Sequence, residues 1–301
     1  MSLVFKDLTI NDYKDIQPYF LSRPTHTCES HFLYHVIWKD FYSSRFTISD
    51  NGVLWLQNIA GEIASLPPTT SKDNFKKAFL ELQEYFTSTL NKKLKMYLVD
   101  EEALELLELD EANFKIIEDR DSFDYIYDGN KLRALTGRKY SKKRNHINAF
   151  LKEYEGRFEY RRLDKENAND ILEFTHKWSL IKNSDDPYNR IESEEVGIRN
   201  ILANYPLPNT VMAGIYIDNK LEAFTVGSYD PVLKLATIHI EKANPEIRGL
   251  YPYINQQFLN QEFEDAKYIN REDDMGIPSL RKAKESYYPI FLAKKYTIVQ
   301  L

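Results

Sequence analysis

The sequence predicts an α/β protein of the α+β kind, built from two tandem copies of one unit, each a mixed sheet with helices on both faces. Three observations predict it. Residues 5–20, FKDLTINDYKDIQPYF, lie over residues 160–175, YRRLDKENANDILEFT, at one constant offset, so that Phe5 meets Tyr160, Leu8 meets Leu163, Ile16 meets Ile171 and Tyr19 meets Phe174. Residues 45–57, RFTISDNGVLWLQ, resemble residues 212–225, MAGIYIDNKLEAFT. Residues 96–108, MYLVDEEALELLE, parallel residues 267–281, KYINREDDMGIPSLR. Three matched segments in the same order argue for duplication, against the alternative that two α/β domains look alike by chance.

Each element follows from its local pattern. The first segment of each copy reads as a strand, a polar capping region and an amphipathic helix. His26, His31 and His35 follow among Phe32, Tyr34 and Trp38. Their spacing lacks the third ligand that a zinc helix wants, so they read as packing and surface groups. The second segment is a hairpin in each copy. Asp50-Asn51-Gly52 is the stronger turn signal, with both turn residues expected at positive φ, and Asp218-Asn219-Lys220 the weaker. In the first copy SLPPTT precedes a helix with Phe75, Ala78, Phe79, Leu82 and Phe86 on one face. The second copy has an apolar strand at 235–240, a turn carrying Arg248-Gly249, and a helix whose buried stripe is Tyr251, Ile254, Phe258 and Leu259.

Between the copies, residues 129–152 carry Lys131, Arg133, Arg138, Lys139, Lys142, Lys143, Arg144 and Lys152 and no acid. A helix is expected over 139–154, with Ile147, Phe150, Leu151 and Tyr154 as its apolar stripe. Lys139, Lys142, Lys143 and His146 share another face, and Arg144 lies close to the stripe. Such a face attracts phosphates, whether of RNA, a lipid surface or a nucleotide, unless acids of the same protein pair with it. The expected division is a first domain at 1–130, a basic linker helix at 131–155 and a second domain at 156–301.

The bulk numbers exclude some classes. The formal net charge is −6, so nucleic-acid contact must come from a local patch. The one cysteine, Cys28, excludes an internal disulfide and a cysteine-based zinc cluster. No run of about 18 apolar residues occurs, and the start lacks the plan of a secretory signal, so a cytoplasmic protein is expected. The absence of G-x-S-x-G, P-loop and G-x-G-x-x-G patterns removes support from hydrolase, ATPase and dinucleotide readings.

Candidate chemistry gathers in the second copy. Gly249, at a strand-to-helix turn, lets backbone amides approach a phosphate at a helix N-terminus; a plain tight turn is the alternative. Alternation along LATIHIEKAN puts His239 and Glu241 on one face, where either could serve as a base. A histidine making an ordinary hydrogen bond is the competing reading. The charged turn at 268–289 brings Asn270, Arg271, Asp273, Asp274 and Lys282 near one another, with an aspartate able to cap the following helix.

Taken together, this order of elements resembles the GNAT acyltransferase fold, in tandem. KKRNHINAFLKEY, EKANPEIRGLYPYINQQF and YINREDDMGIPSLRKAKESYYP resemble an uncharacterised bacterial family related to the C-terminal domain of phosphatidylglycerol lysyltransferase, in a wider group with the Fem-type transferases that use aminoacyl-tRNA. The GNAT pyrophosphate loop has the pattern Q/R-x-x-G-x-G/A. Glu246-Ile247-Arg248-Gly249-Leu250-Tyr251 keeps the central glycine and departs at the first and last positions. The resemblance implies transfer of an acyl group from a CoA thioester or an aminoacyl-tRNA to an amine or hydroxyl of a small-molecule or peptide acceptor, without a metal. Ile247, Arg248, Gly249, Leu250 and Tyr251, with Lys242 and Ala243 before them, would hold the donor. Glu241 or His239 would be the base. Tyr287, four residues after Ala283 on the last helix, would protonate the leaving group, with Tyr288 its rival. Asn270, Arg271, Asp273, Asp274 and Lys282 would line the acceptor side. The patch of Lys139, Lys142, Lys143, Arg144 and His146 would suit tRNA or a peripherally contacted membrane. The rival reading is a non-catalytic tandem GNAT-like module that binds an anionic ligand or peptide.

Overall fold

The computed structural model describes residues 3–182 and 190–301. Two compact units divide the chain. One comprises 1–125, 273–282 and 292–301; the other comprises 126–272 and 283–291. This differs from the contiguous division at 130 and 155 expected above, and the reason is an exchange of strands. The Lys295–Gln300 strand, last in the chain, lies between Lys95–Asp100 and Phe114–Glu118 in a three-stranded antiparallel sheet. The Asp124–Asp128 strand pairs instead with Tyr268–Asn270 through Ile126–Asp128.

The first unit also has a four-stranded sheet in the order Lys6–Asp7, Arg45–Ser49, Gly52–Ile59, Glu62–Ala64. Its Gly52–Ile59 strand is buried on both faces. Val53 and Trp55 join Ile16, Phe20, Phe32 and Leu66 in one core. Leu54 and Leu56 join Phe75, Ala78, Phe79, Leu82 and Phe86, the stripe read from sequence, in another. A strand's period of two separates the two sets.

The hairpin turns reverse the order of strength given above. Asp218 and Asn219 both take positive φ, 50° and 65°, while Asp50 and Asn51 do not. Gly52 is needed for another reason: at φ +143°, a Cβ there would stand 2.5 Å from Thr70 Cβ. The glycine serves the close approach of the 69–70 loop, not the turn.

The second unit is built on a seven-stranded sheet in the order Phe291–Ala293, Asp124–Asp128, Tyr268–Asn270, Leu235–Ala243, Lys220–Asp230, Thr210–Ile217, Phe158–Leu163. Helices cover both faces. Phe174 of the Ala168–Lys182 helix meets Phe224 edge-on at 6.0 Å. On the other face, Phe258 of the Leu250–Glu262 helix fills the space over Gly227. The basic linker forms a helix at Ser141–Glu153, and its Phe150 packs 4.8 Å from Tyr253.

Candidate functional site

The site begins where two strands of the second unit stop pairing. Leu235–Ala243 runs parallel to Tyr268–Asn270 only as far as Thr237 opposite Asn270. On its other side a β-bulge interrupts the register: Gly227 faces Ile238 and Val226 faces Ile240, leaving His239 as the extra residue. Bulges re-aim side chains. The alternation expected to unite His239 and Glu241 is therefore broken, and the two side chains take different partners.

Glu241 accepts a hydrogen bond from Arg271 Nη2 at 2.8 Å and one from Asn255 Nδ2 at 2.7 Å. Arg271 lies 4.7 Å from the ring of Tyr287, and its Nη1 is buried with no hydrogen-bond partner. Burial opposes the charge of this guanidinium, but the Glu241 carboxylate outweighs burial and holds it charged. Lys284 Nζ donates to Arg271 O at 2.5 Å and fixes the backbone at the start of the charged turn.

Tyr287 is 5% exposed, and burial pushes its hydroxyl up to about 12, so it keeps its proton at neutral pH. Its rival Tyr288 is 45% exposed. Neither stands on the helix, which ends at Glu285; Tyr287 sits in the turn beyond, its amide bonded to Lys284 O at 3.1 Å. Lys143 Nζ rests 3.8 Å from the centre of the Tyr287 ring. Burial, and then repulsion from Arg271, lower its pKa to about 8. Lys143, half-buried, thus stands against the Tyr287 ring while Lys142 of the same basic face stays exposed.

His239 forms a separate relay. Its Nε2 is 2.7 Å from Ser228 Oγ, and its Nδ1 is 2.8 Å from Glu272 Oε1. A carboxylate only accepts, so the proton is assigned to Nδ1 and Ser228 donates to Nε2. The imidazole has no exposed surface, so His239 does not meet a ligand directly.

The glycine loop is filled by the protein itself. Gly249 takes φ +88° as the N-cap of its helix, and a Cβ there would lie 2.0 Å from His146 O. The close approach it permits is to the linker helix. Arg248 and His146 meet at the side, Nε to Nδ1, 3.4 Å apart. Lys242 bonds Glu194 and lies 3.7 Å over the Trp178 ring, while Tyr251 accepts from Trp178 Nε1 at 3.0 Å. Ala243 pairs with Ala223 in the sheet. Arg144 donates to the carbonyls of Leu135 and Gly137, and Lys139 stands 4.7 Å from the Tyr288 ring. Lys142 is exposed.

The acceptor-side residues are divided between the two units. Asn270 is fully buried and its Oδ1 accepts from Glu272 N at 2.6 Å, shaping the turn. Asp273, Asp274 and Lys282 belong to the first unit. There Asp274 is no helix cap. Fully buried, it receives Arg281 Nε at 2.9 Å, Arg120 Nη1 at 3.2 Å and Tyr125 Oη at 2.5 Å. Asp273 accepts from Met275 N at 3.0 Å, and Lys282 is exposed. Sequence reasoning missed Asn255, Lys284, Ser228 and Glu272. The one available signal was polarity in a buried run, as where Asn255 follows Ile254 in LYPYINQQFL.

Among the described residues, the histidines of the first unit form no three-ligand cluster. Among the described residues the one group of metal-ligand type is Cys28, Glu29 and Asp124, and the Lys295 ammonium already stands within it, 2.7 Å from Glu29 and 2.8 Å from Asp124.

The chain shares its α/β fold with FemX, at a TM-score of 0.62 and 10% identity over 98% of this chain and 97% of that one, and in its second copy Glu241, Arg271 and Tyr287 meet beside a strand splay. The chain belongs to the family described as phosphatidylglycerol lysyltransferase, C-terminal, whose model matches residues 22–299. A conserved protein of unknown function from Bacteroides thetaiotaomicron VPI-5482 is 28% identical and superimposes with a TM-score of 0.89 over 100% of both chains. L-PGS from Bacillus licheniformis shares the fold with a TM-score of 0.66 at 13% identity, over 95% of this chain and 91% of that one. An uncharacterised protein of Mycoplasmoides gallisepticum is 29% identical over 177 residues, which span 59% of this chain and 56%, little more than half, of that relative. Among the described residues, no helix is long and apolar enough to cross a membrane.

Proposed function

We propose that this protein transfers an aminoacyl or acyl group from an activated ester to an amine or hydroxyl acceptor, with the chemistry at Arg271, Tyr287, Lys143 and Glu241. One observation carries the proposal: a buried arginine donor without a partner, a phenol that keeps its proton and an amine of lowered pKa meet where the strands splay. Arg271 Nη1 would donate to the carbonyl oxygen and hold the negative charge that develops on attack. Lys143, partly neutral near pH 8, would take the proton of the attacking group. Glu241 would orient Arg271 through its bond to Nη2, held in turn by Asn255. Tyr287 would return a proton to the leaving oxygen.

The donor is best read as an oxygen ester, such as the aminoacyl end of a charged tRNA. A sugar hydroxyl leaves as a strong base and needs the proton that Tyr287 carries. A thiolate, whose acid has a pKa of roughly 8.5, leaves more easily without it. The departures at Glu246 and Tyr251, and the filling of the Gly249 approach by His146 O, also favour an ester over CoA. The family description makes a lysyl group and a phosphatidylglycerol hydroxyl the first donor and acceptor to test, met by peripheral contact with a membrane. A non-catalytic module that binds an anionic ligand is the second reading, and it too draws on the occupied approach at Gly249.

The test is single-turnover incubation with tRNA charged with labelled lysine and phosphatidylglycerol vesicles, beside thermal melts with CoA thioesters. Labelled lipid, lost in Tyr287→Phe, is the expected result. Stabilisation by a CoA thioester without consumption of charged tRNA would move the donor to CoA. Tight binding of uncharged tRNA with no turnover of either donor would establish the binding module instead.

A further inference from the structure

The first unit contains a small polar cavity that this chemistry does not use. Its volume is about 40 Å³, and Phe20, Leu66 and Leu98 supply part of its wall. At 10–15 Å³ for each water-sized group, it holds about three such groups. Three of the polar side chains that line it are Arg23, Glu29 and His35. All are at least nine-tenths buried: the Arg23 and Glu29 side chains are 7% and 9% exposed, and His35 is 3% exposed. Each keeps one atom with no hydrogen-bond partner, namely Arg23 Nε, Glu29 Oε2 and His35 Nδ1.

His35 Nε2 lies 3.0 Å from Glu29 O, a carbonyl that only accepts, so Nε2 carries the ring proton and Nδ1 presents a lone pair. Burial lowers the His35 pKa to about 4 and keeps the ring neutral. Stacking on Trp55 at 4.1 Å and 13° fixes its plane. Glu29 spends Oε1 on Lys295 at 2.7 Å and leaves Oε2 as a second acceptor. Arg23 spends Nη1 and Nη2 on Asp100, both at 2.9 Å, and leaves Nε–H as a donor. The cavity therefore asks for a partner with at least two N–H donors beside one acceptor.

Charge narrows the class further. Lys295 faces Glu29 and Asp124, and Arg23 faces Asp100, so three largely buried acids stand against two buried bases. A buried excess of carboxylates favours a cation.

We propose that this cavity binds a compact primary ammonium group with an oxygen acceptor on the neighbouring carbon, as in a 2-amino alcohol or an α-amino amide. The ammonium donates to Glu29 Oε2 and His35 Nδ1, and the oxygen accepts from Arg23 Nε. The site belongs to the first copy alone and does not depend on the transfer chemistry of the second.

Binding is coupled to the charge of Glu29. Burial, set against the pull of Lys295 and the push of Asp124, raises its pKa to about 7. Cys28, Tyr34 and His35 are the other titratable groups around it, and His35 stays neutral. The ammonium needs the ionised carboxylate, so affinity is full above pH 7, falls as pH drops through it, and binding near pH 7 releases a proton.

The experiment is calorimetric titration of the intact protein with ethanolamine and glycinamide at several pH values and in buffers of different ionisation enthalpy. Ethylene glycol and propylamine are the controls. Saturable binding of both probes is expected, with proton release near pH 7 and at least about tenfold weaker binding of each control, which lacks one of the paired groups. Glu29→Gln should abolish binding. Because that change also disturbs Lys295, His35→Phe, which keeps a ring on Trp55, provides a second loss, and proton release by the unaltered protein needs no variant. No saturation by either probe into the millimolar range, equal binding of ethylene glycol, or a crystal of the probe-soaked protein with only water in the cavity would overturn the proposal.

Discussion

Replacing Gly249 by alanine probes the junction of the linker helix with the donor-side loop. Two costs add. The residue sits at φ +88°, where a Cβ costs roughly 1–2 kcal/mol of backbone strain. The new methyl would also lie 2.0 Å from His146 O and 2.7 Å from His146 C, which are helix backbone and cannot swing aside as a side chain does. Relieving that overlap means shifting the Ser141–Glu153 helix, an overpacking cost of about 1–3 kcal/mol. The total expected is about 2–5 kcal/mol. Urea unfolding followed by circular dichroism measures it. If Gly249→Ala costs no more than the roughly 1–2 kcal/mol of backbone strain alone, the helix does not rest on this glycine, and the loop is open for a phosphate after all.

Tyr287→Phe should lower the rate of transfer by about 10²–10⁴ with little change in melting temperature, as measured in the charged-tRNA assay. Competitive acylation should titrate Lys143 with a midpoint near pH 8, and a midpoint in the ordinary lysine range would remove it from the group at Tyr287. Asp274→Asn should destabilise by about 3 kcal/mol, because it strips a buried carboxylate from Arg281 and Arg120. Although burial opposes its charge, bonds from Arg281 and Tyr125 hold the Asp274 pKa below its usual value. That stability is present above the ordinary aspartate range and is lost as pH falls through the folded value; an acid titration in which the asparagine variant retains the same loss would refute the assignment.

Much of the fold is legible from local pattern. The duplicated element order, the apolar stripe from Phe75 to Phe86 and the linker helix each rest on a period of two or 3.6 that neighbouring residues carry themselves. Gly249 was also legible as a residue that needs a close approach, since its lack of a side chain is written in the chain. What approaches it was not legible, because His146 O comes from a helix about a hundred residues away in sequence.

The site divides along the same line. Glu241, Arg271 and Tyr287 could be singled out because charged and phenolic side chains beside a strand end and a turn invite the question. Their grouping with Lys143 and Asn255 is a property of tertiary packing. So are the bulge that separates His239 from Glu241, the unit that holds Asp274, and the crossing of the Lys295–Gln300 strand into the first unit's sheet. Sequence alone determined which segments are strands and helices and that the unit occurs twice, because those depend on contacts within a few residues. Which side chains share a site, and which of them lose their water and shift their protons, was decided only by long-range contacts: desolvation and charge pairing depend on distances in space that separation along the chain does not report.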